Sequence, residues 1–415
     1  MAIGGFIPTS RYLHQLSAGA VTNVNTVVSV YDPYGNPKAG YGNIPISTLT
    51  IAANRTGTQR TTASMTVTLD PNTFWPRPID LSSPLAPNGN ELYISCGYVY
   101  PDKSSDMFLQ GKFPIVTCTM AAQGTLSMTV SADDRAWSIG RRGLTAPYTV
   151  PEDNNGTSVG TISVVILNLL QLNISALPAI NYNVDSTNQL APPNTYSVGQ
   201  DPWQAATDLA TSTGWELYLD PSGNVVAAPP ASGGTSIWYI SSTPGSQIAL
   251  TGSRVLTADQ IFNDYFVITA NSDSYNYFAT SPTIMPPVQS EVCDQNPNSP
   301  TYVSYSGGSP MPVGWTGVYQ GGTFGDIVQF IQSSVATNSL AAEAEAQLDL
   351  TLSLGKIDTL TLDGPINPAV QIDDFCNVLI PRIGLTSWTQ YVVDGFSTTY
   401  ALNGKTSYTL RRVIL

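Results

Sequence analysis

Apolar and polar residues alternate along much of the chain in short runs, and clusters of turn residues separate the runs. Residues 21–31 (VTNVNTVVSVY) predict a strand, closed by the turn Asp32-Pro33-Tyr34-Gly35-Asn36-Pro37. Further strands are predicted at 49–52, 63–69, 91–100, 113–121 and 124–131. A polar tip lies around 54–57, and a loop rich in Pro and Asn fills 70–90. Strands at such short spacing imply a closed barrel or a sandwich.

The texture changes after Pro151. Residues 157–173 place Val159, Ile162, Ile166 and Leu169 near helical spacing; their β-branched content suits a strand as well, and the spacing favours a helix. Residues 200–230 read as a helix followed by a hairpin. Asp201 is the expected N-cap, Pro202 the first helical residue, Gln204 the capping-box partner and Gly214 the left-handed stop. Trp215, Leu217 and Leu219 then alternate with polar neighbours, and Asp220-Pro221-Ser222-Gly223 turns the chain back through 224–228. Beyond a Ser/Gly-rich break at 231–236, strands resume at 237–241 and 265–270. Residues 281–324 carry Pro and Gly throughout, as an extended loop or a small inserted subdomain would. A short helix is predicted at 324–335 and a firmer one at 338–347, capped by Asn338. Leu348, Leu350, Leu352 and Leu354 alternate as a strand, as do Leu360 and Leu362. Strands at 375–380 and 388–393 follow, then a hairpin turning at Asn403-Gly404.

At 415 residues the chain is long enough for two to four domains. Only 11% of residues are charged, well below the roughly 25% of an average soluble protein, so the surface is largely uncharged and polar. A net charge of −13 argues against binding nucleic acid by phosphate neutralisation. The basic pairs Arg141-Arg142 and Arg411-Arg412 are expected as solvated strand or turn ends. The opening MAIGGFIPTSRYLHQL has no basic region followed by an apolar run, and the longest apolar stretch, 162–172, is too short to span a bilayer. These features predict a soluble part made in the cytosol, with no membrane-spanning segment. Cys96, Cys118, Cys293 and Cys376 are widely spaced and expected to be reduced, a Cys96–Cys118 bridge being the one alternative.

Candidate chemistry is sparse. The one histidine, His14, lies near a terminus expected to be mobile and surface-exposed, which removes triad and Cys-His designs. Asp133-Asp134, Glu152-Asp153, Glu343/Glu345 and Asp373-Asp374 are close carboxylates. Neighbours on a strand face opposite ways, so they make no acid/base pair and are expected at solvated turns or strand edges. Calcium-loop spacing, phosphate loops and dinucleotide fingerprints are missing. No catalytic, cofactor-binding or metal-ligating residue is therefore predicted, and no enzymatic activity.

Three stretches bear a resemblance. They are Thr129-Val130-Ser131-Ala132-Asp133-Asp134-Arg135; the helix-hairpin with Trp203, Leu209, Gly214-Trp215 and Asp220-Pro221-Ser222-Gly223; and a C-terminal order of Ala-rich helix, Asn367-Pro368, Asp373-Asp374, Tyr391-Val392-Val393 and a hairpin ending Thr409-Leu410-Arg411. In this order the chain resembles the tail hub proteins of tailed bacteriophages, including contractile-tail baseplate hubs and the N-terminal region of siphophage tail tip proteins. The resemblance implies a mainly β protein with an α/β insertion, built from two tail-tube-like β-barrels with inserted smaller domains. The first barrel would take 1–150, completed by strands near 235–260, and the α/β insertion 151–232. The second barrel would take 233–285 and 336–415, with an irregular insertion at 286–335. It further implies a homotrimer at the distal end of the virion tail, a sixfold-to-threefold adaptor that closes the tube and opens for genome ejection. The distal tail protein, the tape measure protein and tip fibre proteins would be its partners, and DNA would pass an acidic lumen without specific binding. No hydrolase or fibre domain would be appended after the last hairpin. The alternative is a virion adhesin that grips the host through loops at 70–90 or 281–324.

Overall fold

A computed structural model describes residues 8–17, 24–32, 34–55, 60–68, 82–123, 125–152, 160–171, 182–184, 190–192, 194–231, 234–242, 247–249, 251–257, 259, 262, 264–268, 274–279, 288–289, 328–333, 335–336 and 339–413. The expected tip at 56–57, most of the loop at 70–90, Asp153, Cys293 and nearly all of 281–324 lie outside them.

The chain opens with helix α1 (Ser10–Ser17), followed by strands β1 (Val24–Tyr31), β2 (Thr48–Asn54), β3 (Thr61–Thr68), β4 (Glu91–Val99), β5 (Ser105–Gln123) and β6 (Thr125–Asp133). The terminus expected to be mobile is docked. Tyr12 and Leu16, four residues apart on one face of α1, are fully buried. The Tyr12 hydroxyl donates to Asn367 Oδ1 at 2.7 Å and accepts from Ala369 N at 3.1 Å. His14 is exposed, as expected. Strand β5 is longer than its apolar pattern suggested: Ser105–Pro114 pair with β4, and Ile115–Gln123 pair with β6.

Helix α2 (Arg135–Gly140) leads into a separate layer: β7 (Tyr148–Thr149), α3 (Ile162–Gln171), β8 (Tyr182–Val184), β9 (Thr195–Tyr196), α4 (Pro202–Thr211), β10 (Glu216–Leu219) and β11 (Val225–Ala228). The ambiguous stretch at 157–173 thus holds a helix. Asp201 caps α4 by accepting from Trp203 N at 2.8 Å and Gln204 N at 3.0 Å. The reciprocal half of the capping box does not form, because Gln204 Nε2 donates forward to Asp208 at 2.7 Å. Gly214 turns left-handed at φ +74°, where a Cβ would lie 3.1 Å from the Ala344 carbonyl oxygen. Strands β10, β11 and β8 form a three-stranded sheet. Its apolar side joins α3 and α4 in a core of Ile166, Leu169, Trp203, Leu209 and Val225.

The remaining strands are β12 (Trp238–Ser241), β13 (Gln247–Ile248), β14 (Thr251–Leu256), β15 (Asp264–Ile268), β16 (Ser274–Ala279), β17 (Val288–Gln289) and β18 (Val328–Gln332). Helix α5 (Ser339–Leu354) then precedes β19 (Asp358–Gly364), β20 (Phe375–Ile380), β21 (Leu385–Tyr400) and β22 (Thr406–Arg412). Two expectations fail here. The stretch at 324–335 holds strand β18, not a helix, and β18 runs parallel to β15. The leucines from 348 to 354 continue α5 instead of forming a strand. Ala342, Ala346 and Leu350 recur every four residues and pack on Tyr265 and Val267, so tertiary contact selects the helical period over the twofold one.

A 13-stranded sheet runs β1-β4-β5-β6-β3-β2-β21-β20-β12-β13, and β22, β19 and β14 branch from β21. Pairing is antiparallel except at β12, which runs parallel to β13 and β20. The mainly β fold with an α/β insertion is as expected. Closure into barrels is not detected among the described residues: the hydrogen-bonded path is open, and β2 pairs directly with β21 to join early and late strands. One continuous core, from Val28 and Ile51 to Trp238, Val378 and Leu410, lies beneath both halves.

Candidate functional site

The α/β layer meets the large sheet across a set of buried charges. Arg55 follows β2 directly, and its backbone N–H donates to the Asp394 carbonyl at 2.8 Å, which aims the side chain at β10. Its guanidinium forks onto Glu216, with Nε to Oε1 at 2.7 Å and Nη2 to Oε2 at 2.8 Å. Nη1 donates to Asp373 at 2.7 Å and lies 3.6 Å from Asp394. The other Asp373 oxygen accepts from Arg60, whose guanidinium lies 3.9 Å over the Tyr218 ring on β10. Asp394 in turn accepts from Arg411 Nε at 3.0 Å. Three guanidinium groups thus face three carboxylates.

Backbone geometry serves this arrangement. Asp373 adopts φ +70°, a left-handed conformation that aspartate tolerates better than most residues. Asp394 sits where the β21–β22 register shifts between Val393 and Gly395, so its side chain leaves the regular alternation. Burial alone would weaken the Arg55 charge, but Asp373, Glu216 and Asp394 outweigh it and raise its pKa.

A second anchor lies nearby. Arg135, at the start of α2, forks onto Glu91 with contacts of 2.9 and 2.6 Å, and Nη1 reaches the Gly223 carbonyl at 3.4 Å. Both side chains are only 1–2% exposed. Asp134 caps α2 through Ala136 N at 3.1 Å and accepts from Thr61 N at 3.2 Å. Desolvation pushes its pKa up to about 7. A third cluster ties β14 inward: Arg254 forks onto the buried Asp358 at 2.8 and 2.7 Å, and Tyr391 donates to the same carboxylate at 3.1 Å.

Several carboxylates expected at solvated edges are instead structural, whereas Glu152 is exposed, as expected, and Asp133 is half-buried. Asp134, Asp373 and Asp374 are buried, and Asp374 Oδ2 accepts from Trp238 Nε1 and Gln371 N, both at 2.9 Å. Glu345 is buried on α5, and Arg411 is buried too, contrary to the solvated end predicted for it. Cys96, Cys118 and Cys376 are free thiols, so the Cys96–Cys118 alternative is not realised. Among the described residues no group of three His, Cys, Asp or Glu side chains is placed to hold a metal ion. No described helix is long and apolar enough to cross a membrane. The arrangement fastens elements together: each carboxylate at the Arg55 junction is already engaged by a guanidinium. Arg55, Arg60, Glu91 and Glu216 were not among the residues singled out from the sequence, and Arg135 was only part of the stretch that carries the resemblance. The available signal was scarcity, since 16 basic residues in 415 make each arginine inside a strand-rich stretch unusual.

No protein-family model matches the chain, and no curated protein does. Solved structures do. A tail protein from Neisseria meningitidis MC58 is similar at TM-score 0.60 and 13% identity, over 94% of this chain and 97% of that one. The 43 kDa tail protein of prophage MuSo2 from Shewanella oneidensis is similar at TM-score 0.56 and 13% identity, over 94% and 98%. A chain of the lidded Francisella PdpA–VgrG complex is similar at TM-score 0.54 and 10% identity, over 96% of this chain and 54% of that one. The chain has the fold of these tail proteins, and the resemblance to bacteriophage tail hubs holds at the level of fold.

Proposed function

We propose that the chain is a non-enzymatic structural component of a bacteriophage tail, and within it the hub at the distal end. The observation that carries this reading is end-to-end fold similarity: 94% of the chain superposes on 97% of a solved tail protein. A mostly uncharged, acidic chain with engaged carboxylates and one exposed histidine also suits a scaffold better than an enzyme. In this proposal three copies form a ring that continues and closes the tail tube and adapts sixfold to threefold symmetry. The early strands (1–150) and late strands (233–285 and 336–415) supply two tube-like units per copy, and 151–232 and 286–335 are insertions. The ring would contact the distal tail protein, the tape measure protein and tip fibre proteins, and open for DNA. The net charge of −13 would keep a lumen from adhering to phosphates.

Particles produced without this chain test the reading. Tails that are missing, or that end in an open tube, are expected by electron microscopy. Full-length tails with an intact closed tip would overturn the hub. If purified protein also bound host cells, the adhesin alternative would take its place.

A further inference from the structure

The insertion meets the rest of the chain at a second place, the seam where α4 packs on α5. The close approach of Gly214 to the Ala344 carbonyl holds the two together. The next residue, Glu345, is only 7% exposed. Ser333 donates its one hydroxyl proton to the Glu345 carboxyl, and Ser333 Oγ itself accepts from Val335 N at 3.4 Å and Ala336 N at 3.0 Å. The other carboxyl oxygen, Oε2, is buried without a hydrogen-bond partner.

The charges acting on Glu345 carry its own sign: Asp349, four residues further along α5, and Asp208, half-buried on α4. The surrounding groups do not offset them. On α4, Gln204 Nε2 donates to Asp208 at 2.7 Å, and Asp201 adds another negative charge. Tyr196 of β9 lies near Asp208, and Tyr265 of β15 near Asp349. Lys356, beyond α5, acts on Asp349 alone. Among the described residues no lysine or arginine forms an ion pair with any of the three acids. A buried carboxyl oxygen with neither donor nor cation is costly when ionised and far less so when protonated. Burial, the largest cause in each, raises the pKa of all three acids, that of Asp349 to about 6.

We propose that the α4–α5 seam is a proton-operated latch: a proton held by Glu345 and Asp208 keeps it closed, and its loss to solvent frees the α4 side of the insertion while the arginine clasp at β10 still holds. Folded-state pKa values above the unfolded ones fix the direction. The stabilisation is complete below the ordinary carboxylate values and is lost as pH rises through the folded ones, about 6 for Asp349. The latch is therefore closed in acid and loosened towards pH 8.

The test is amide exchange of the full chain, read by mass spectrometry at pH 5 and pH 8 with the intrinsic effect of pH on exchange divided out. Peptides from α4 and from 341–350 of α5 should exchange about tenfold faster at pH 8, the change that one pKa unit of lost coupling brings. Those from β10 and β11, held by Arg55, should change less than about twofold. Glu345→Gln places an amide N–H where the proton would sit and should keep the seam protected at pH 8. Asp208→Asn should do the same, so the test survives poor folding of either variant. Asp259→Asn, at an exposed position, should follow the wild type. Asp374→Asn should leave the seam response intact, which separates it from the carboxylates of the large sheet. Equal protection of the seam at the two pH values would overturn the latch. So would an opening shared evenly with the large sheet, or a wild-type pH response in folded Glu345→Gln or Asp208→Asn. None of these outcomes depends on where the chain sits in a virion.

Discussion

Arg55 illustrates how this protein spends its few charges. A buried ion pair rarely out-stabilises a well-packed apolar replacement, but removing one partner leaves uncompensated charge and costs about 3–5 kcal/mol. Arg55 serves Glu216, Asp373 and Asp394 together, so Arg55→Ala should fall at or above that range. Denaturant unfolding checks the magnitude. Hydrogen exchange should also accelerate in β10 and β11 before the large sheet, because Glu216 is the insert's side of the clasp. Uniform loss of protection would contradict this role. These residues were hard to see in the sequence because their partners lie 161 and 318 positions away. Local pattern carries no information on which distant carboxylate an arginine meets.

Asp374 makes a pH prediction at the same scale. Desolvation raises its folded-state pKa from the ordinary 3.8 to about 7. The folded state therefore binds its proton more tightly than the unfolded chain does. The stability this contributes is complete below pH 3.8 and is lost as pH rises through about 7. Asp134 is shifted in the same direction, also to about 7, by the same cause. The melting temperature should fall between pH 5 and pH 8. Asp374→Asn retains an acceptor for Trp238 and Gln371, which share one oxygen. Its melting temperature should depend less on pH than that of the wild type. Parallel curves for the two proteins would refute the assignment.

Among elements, α1 and α5 divide the legible from the illegible. Most strands stand where alternation and turn chemistry placed them, and the Asn403-Gly404 hairpin forms, with Asn403 at φ +61°. Helix α4 begins at its predicted cap because capping is local chemistry. The leucines of α5 carry two periods at once, and packing against β15 decides between them. Helix α1 was mistaken for a loose terminus because its anchoring surface, Tyr98, Phe108 and Trp238, is distant in sequence. Leu16→Ala, at a fully buried position, should therefore cost about 2–5 kcal/mol. The loss should appear in the global unfolding transition. A change confined to exchange of the first residues would mean that α1 is peripheral. At the turn, a Cβ on Gly404 would stand 1.9 Å from the Thr399 carbonyl oxygen. Gly404→Ala should thus disturb the β21–β22 hairpin, seen as faster amide exchange there.

For the molecule as a whole, one core beneath a continuous sheet makes the early and late strands a single mechanical unit, with the insert clasped to it through Arg55 and Arg135. Similarity to tail proteins at 13% identity shows the fold, and fold alone does not fix function. The most direct test is a reconstruction of the tail tip by electron microscopy that fixes the copy number and location of this chain. The account predicts three copies around the tube axis, each contributing its early and late strands to a six-part ring. Copies placed peripherally, away from the axis, would contradict it.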